Sequence, residues 1–156
     1  MTIHTPILTE NERRSKPRHI WFLNSAFDNI DFPTTVLRLA ERDPEAPFAF
    51  VVTPNVDHLV RLRRDNVLAP LYAQAWLTVC DSRVLELIAS MCGEDVDVTP
   101  GSDLTATLFD NVVMRHEPVT IIGGTREVVE NVKARYGLRD VRWHEPPMGL
   151  RNNPAA

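Results

Sequence analysis

FAFVVTPNVDHLVRLRRD, residues 48–65, passes from an unbroken apolar run through Thr53-Pro54-Asn55 into a helical pattern. An apolar run of this kind fits a strand covered on both faces. Asn55 stands where a helix N-cap is expected. A second stretch repeats the grammar: WLTVCDSRVLELI, residues 76–88, runs from an apolar strand through Asp81-Ser82 into an amphipathic helix. Thr53, Asn55 and Asp81 therefore lie at two strand-to-helix junctions. In an open parallel sheet, ligands bind outside the carboxyl ends of the strands.

Working outward, HIWFLN (19–24) predicts a first strand, and Asp31-Phe32-Pro33 opens a helix to about Arg42. Helical patterns cover 56–65 and 67–75. A further helix over 82–93 stops at Gly93, as a glycine C-cap would have it. A short extended piece over 96–98 leads to Pro100-Gly101-Ser102-Asp103 and a helix from Leu104 to His116. Residues 119–124 read as a strand running into Gly123-Gly124, 125–137 as a helix ending on Gly137, and 141–145 as a last strand. Strands and helices alternate almost strictly. The expected fold class is α/β, Rossmann-like, with a mainly parallel sheet flanked by helices on both faces. Residues 1–17 read as a flexible N-terminal tail, 18–150 as one domain and 151–156 as a C-terminal tail.

Composition narrows the function. With 17 Lys and Arg against 21 Asp and Glu, the net charge is -4. No basic stripe is present, which argues against nucleic acid. No apolar run is long enough to span a bilayer, so a cytoplasmic location is expected. Cys80 and Cys92 read as free thiols, with one disulfide as the alternative, and no Cys/His spacing resembles a zinc site.

Asp81 reads as a general base at a pocket mouth or as a helix N-cap; spacing leaves both open. Thr53 can exchange a hydrogen bond with a ligand hydroxyl. Gly101-Ser102-Asp103 is a turn into a helix whose free N–H groups can receive a phosphate, or a plain turn capped by Ser102 or Asp103. Gly123 and Gly124 allow a ligand close to the backbone but match neither a dinucleotide fingerprint nor a P-loop. His58, one turn into its helix, reads as structural or as facing the same cleft. Arg61, Arg63 and Arg64 form a charge run, ordinarily a solvated face, with a contact to anionic lipid or diphosphate as the alternative.

These segments, in order, resemble the WecG/TagA/CpsF family of bacterial glycosyltransferases. The resemblance spans about residues 18–150. It rests on Phe27-Asp28, TPNVDHLV, CDSRVL, PGSDLTATLF, IIGGTREVVENVKARYG and HEPPMGL. It implies an inverting, metal-independent transfer of an N-acetylhexosamine or related sugar. The donor would be a UDP-sugar, with no other cofactor, and the acceptor a polyprenyl-diphosphate-linked sugar in cell-surface polysaccharide assembly. It also implies contact with the inner face of the membrane. On the matching positions, Asp81 would be the general base. Thr53 and Asn55 would line the sugar and acceptor pocket, and Gly101, Ser102, Asp103, Gly123 and Gly124 would shape the donor cleft. Three departures stand out. Ser82 replaces the glycine that often follows the aspartate, Val98 stands where many members carry arginine, and the family's further C-terminal units are expected to be missing. The last two suggest an alternative, an inactive nucleotide-sugar-binding or partner-binding module. An exposed apolar edge would favour a homo-oligomer.

Overall fold

The structure is a computed structural model and describes residues 18–147. The proposed tails at 1–17 and 151–156, and the residues from Met148 to Leu150, lie outside the described residues. Among these, six helices and six short strands make a mixed α/β arrangement with small parallel sheets and no closed barrel. The chain forms two compact units, one up to Thr105 and one from Ala106 onward.

The chain does not go from one strand into a helix. It makes an antiparallel hairpin of β1 (Arg18–Phe22) and β2 (Ser25–Asn29), a two-stranded sheet of its own that is not parallel. The two turn residues, Leu23 and Asn24, have φ of 49° and 64°. Such a left-handed pair matches the twist of a two-residue hairpin turn. Asn tolerates that conformation, but Leu does not advertise it, and the polar ends of SAFDN hide a strand. Helix α1 (Phe32–Ala40) follows, capped by Asp31, whose carboxylate accepts from Thr34 N–H at 2.9 Å, with Pro33 in its first turn.

Strand β3 (Val51–Val52) pairs in parallel with β4 (Leu77–Thr78). Pairing continues past both short strands: Val79 N–H donates to Val52 O at 3.0 Å and Asp81 N–H to Pro54 O at 3.1 Å. Helices α2 (Val56–Arg64) and α3 (Leu68–Tyr72) connect them. The other edge of β4 is also occupied. Thr78 N–H donates to the Asp28 carboxylate at 2.8 Å, and Thr99 N–H donates to Cys80 O at 2.8 Å beside a parallel bridge between Cys80 and Val98. Asn29 holds the approach to that bridge by accepting from Asp97 N–H and donating to Asp95 O.

Side chains alternate across a strand, and β4 shows the consequence. Leu77 and Val79 join Ile30 in one buried cluster. Cys80 joins Ile20, Phe22, Phe27, Leu59, Leu85, Ala89 and Val96 in another. Apolar burial on both faces explains the near-continuous run at 76–80. Helix α4 (Arg83–Met91) supplies Leu85 and Ala89. It ends as expected at Gly93, whose φ is 81°.

Helix α5 (Gly101–Asn111) begins three residues earlier than the pattern predicts and ends five earlier. In the second unit, β5 (Pro118–Ile122), α6 (Arg126–Tyr136) and β6 (Asp140–His144) form a parallel βαβ unit. Thr125 caps α6, and Gly137 ends it in the left-handed conformation, with φ 65°.

Candidate functional site

The site follows from β4 having neighbours on both sides. Three extended segments, ending at Thr53-Pro54, Asp81 and Thr99-Pro100, run side by side in the same direction. Their carboxyl ends therefore converge. A methyl group built on Gly101 would lie 2.7 Å from Thr53 Oγ1 and 3.4 Å from Asp81 Oδ2. Thr53, Asp81 and Gly101, separated by up to 48 positions in sequence, share one small space. All three are half-buried.

Each neighbour has a local reason for its place. Asn55 is the N-cap of α2 and forms a reciprocal capping box: His58 N–H donates to Asn55 Oδ1 at 3.2 Å, and Asn55 N–H donates to His58 Nδ1 at 3.2 Å. His58 therefore has a structural task, and its ring sits 6.4 Å from that of Tyr72. Ser82, not Asp81, caps α4, through Leu85 N–H at 3.2 Å. The serine that departs from the family pattern thus takes the capping role and leaves the Asp81 side chain out of it.

Neither Ser102 nor Asp103 caps α5. Both lie exposed inside its first turn, where Leu104 N–H already reaches Pro100 O at 2.9 Å and Ser102 Oγ donates to Asp103 at 3.3 Å. The N–H groups of Gly101, Ser102 and Asp103 precede that first helical bond, at the positive end of the α5 dipole. Thr99, wholly buried, has a side-chain oxygen with no hydrogen-bond partner.

Gly123 and Gly124 lie in the second unit. Their φ values of 93° and 68° make the turn from β5 into α6. Gly123 N–H donates to His144 O at 2.9 Å, and Trp143 Nε1–H donates to Gly123 O at 3.1 Å. Arg126 covers the Trp143 ring at 5.3 Å from its centroid. The glycines are required here by backbone conformation, since nothing lies within 4 Å of a methyl at Gly123.

A cavity of about 360 Å³ opens in the first unit against the β1–β2 hairpin, α2 and α3. Its walls include His19, Trp21, Asp28, Arg63, Tyr72 and Trp76, but not Thr53, Asn55 or Asp81. Sequence reasoning missed it, because the hairpin that forms one wall was not foreseen. Phe27-Asp28 was the available signal, an aspartate beside an apolar residue in a short polar-edged run. Among the described residues, no cluster of three or more His, Cys, Asp or Glu is arranged to hold a metal ion. No helix there is long and apolar enough to cross a membrane. Cys80 is buried and Cys92 exposed, and both are free thiols. Burial pushes the Cys80 thiol up, with Asp81 and Glu86 adding to the rise against the lowering effect of the Ser82 backbone contact.

The model of the Glycosyl transferase WecG/TagA/CpsF family matches residues 20–155. The chain belongs to that family. The match runs through both units and takes in every segment of the site. WecG/TagA/CpsF proteins are glycosyltransferases of cell-surface polysaccharide biosynthesis, so this chain is placed among transferases that join a sugar donor to a lipid-linked acceptor. No curated protein and no solved structure matches it.

Proposed function

We propose that this protein transfers an N-acetylhexosamine or related sugar from a UDP-sugar to a polyprenyl-diphosphate-linked acceptor, with inversion and without a metal. The observation that carries the reading is the convergence of Thr53 Oγ1, the Asp81 carboxylate and Gly101 at the ends of three adjacent parallel segments. Reading those segments as the carboxyl edge of a Rossmann-like sheet belongs to the same proposal.

Asp81 has no capping duty, so its carboxylate is free to take the proton of the acceptor hydroxyl. That oxygen forms a bond to the anomeric carbon from the face opposite the UDP. The carbon–oxygen bond to UDP breaks, and its electron pair leaves on the diphosphate. One displacement inverts the centre. Thr53 Oγ1 orients a sugar hydroxyl beside the base. Asn55 fixes the start of α2 and hence the backbone between Thr53 and Asn55. The first-turn N–H groups of Gly101, Ser102 and Asp103 favour the negative charge that develops on the leaving diphosphate. A half-buried carboxylate with no helix cap to serve is the feature that separates this reading from that of a plain α/β module.

The lipid acceptor places the protein at the inner face of the cell membrane. Arg64 serves that contact, since Arg61 is engaged with Asp57 at 2.9 Å and Arg63 lines the cavity against the hairpin. Calorimetric titration with UDP in metal-free buffer, followed by transfer assays with UDP-N-acetylhexosamines, tests the proposal. Saturable binding and turnover that is lost in Asp81→Asn is the expected result. Full turnover in Asp81→Asn removes the base assigned here. UDP binding with no turnover leaves the binding-module alternative standing.

A further inference from the structure

The cavity against the hairpin has a wall chemistry that the reacting centre does not use. Three aromatic side chains, Trp21, Tyr72 and Trp76, line it together with Asn24, Ser25 and Arg63. Trp21 is 69% and Trp76 38% exposed, a large apolar area left on the surface of a small unit. Trp76 is held in place by Arg42, whose guanidinium covers its ring at 5.0 Å from the centroid and also donates to Pro47 O. Tyr72 is braced by the His58 ring. Asp28 is anchored twice, by Thr78 N–H at 2.8 Å and by His19 Nδ1 at 3.1 Å. The walls are therefore set by the fold before any ligand arrives.

Aliphatic residues such as Leu23, Leu62 and Ala69 also line the cavity, but a slot for a hydrocarbon chain has no use for the amide, hydroxyl, guanidinium and carboxylate–imidazole pair that stand among its aromatic rings. Aromatic faces accept the C–H surface of a sugar ring, while side chains that donate and accept satisfy its hydroxyls. The volume lies at the small end of the range for small-ligand pockets, about 300–1,000 Å³. That suits one or two sugar rings better than a nucleotide-sugar.

We infer that the cavity is a saccharide-binding site of its own, apart from the Thr53–Asp81 centre, that takes an uncharged pyranose against Trp21, Tyr72 and Trp76. Under the transferase reading it grips a sugar of the growing glycan away from the reacting bond. Binding itself does not depend on that reading and is measured without UDP, so a chain that fails to bind UDP can still pass this test.

The probe is chitobiose, titrated into ¹⁵N-labelled protein while the three tryptophan indole N–H signals are followed. Their assignments come from Trp21→Phe, Trp76→Phe and Trp143→Phe. Trp21 and Trp76 should shift saturably, while Trp143, whose indole donates to Gly123 O in the other unit, should stay still. Trp21→Ala, at an exposed position, should bind chitobiose about five- to tenfold more weakly with the melting temperature kept. Should that variant fail to fold, the wild-type indole shifts decide alone. No saturable shift at millimolar chitobiose, or shifts confined to Trp143, overturns the inference. So does a stronger response of Trp21 and Trp76 to UDP, or to geraniol, than to the disaccharide.

Discussion

Replacing Gly101 by alanine adds one methyl where the proposed chemistry has no room. Its φ is not in the left-handed region, so the backbone accepts alanine without strain. Alanine is favoured over glycine in a helix by at most about 1 kcal/mol, and by less in the first turn. Against that gain, the new methyl would sit 2.7 Å from Thr53 Oγ1, closer than packed atoms tolerate. The Thr53 hydroxyl must swing away, which costs about 0.5–1.5 kcal/mol if it leaves its preferred rotamer. The two effects nearly cancel, so stability should change by no more than about 1 kcal/mol, or about 2–4 °C in melting temperature for a chain of this length. Activity should not be spared. Thr53 Oγ1 moves by about an ångström or more, the methyl lies 3.4 Å from Asp81 Oδ2, and a misplacement of that size costs about a hundredfold in rate. The assay pairs a thermal melt with steady-state sugar transfer. Thr53→Val, which keeps the shape and removes the hydroxyl, separates crowding from lost hydrogen bonding. If Gly101→Ala melts normally and transfers sugar within about threefold of the parent, the shared space of Thr53, Asp81 and Gly101 is not where the reaction occurs.

Four other expectations rest on separate features. Ser82→Ala should lose about 0.5–2 kcal/mol in urea unfolding because it removes the α4 cap, whereas Asp81→Asn should leave stability nearly unchanged; equal losses would mean that both side chains serve the helix. Cys80 should resist a thiol reagent in the native state while Cys92 reacts at once, as peptide mapping would show. The raised Cys80 value also means that stability from keeping this thiol protonated is complete below its unfolded value and is lost as pH climbs through the higher folded one, so a unfolding midpoint that rose in that alkaline range would contradict the assignment. Gly123→Ala should destabilise the second unit by about 1 kcal/mol or more, through its φ of 93° alone, and a neutral result in a denaturation experiment would show that the turn relaxes.

Much of the site's local grammar is legible in the linear chain because its causes are local. Asn55 caps α2, Gly93 and Gly137 close α4 and α6, and the run at 76–80 is apolar because β4 buries both faces. The carboxyl-end positions of Thr53 and Asp81 follow from the same strand-to-helix grammar. The choice between base and cap at Asp81 was not legible, since adjacent aspartate and serine both suit an N-cap and only the geometry gives that task to Ser82. The start of α5 was missed for a related reason: proline and glycine read as a turn, yet Pro100 O accepts the first helical bond and Gly101 is already helical.

The sequence by itself determined the alternation of elements, their caps, the paucity of basic charge and, through ordered short motifs, the family. Periodicity and capping act over a few residues, so the chain carries them openly. Only the tertiary structure decided that β1 turns back on β2, that Asp28 receives the N–H of Thr78 fifty positions away, and that Gly101 crowds Thr53 and Asp81. Those contacts depend on which strand lies beside which and in what register, a choice made by burying two apolar faces at once rather than by any neighbouring residue.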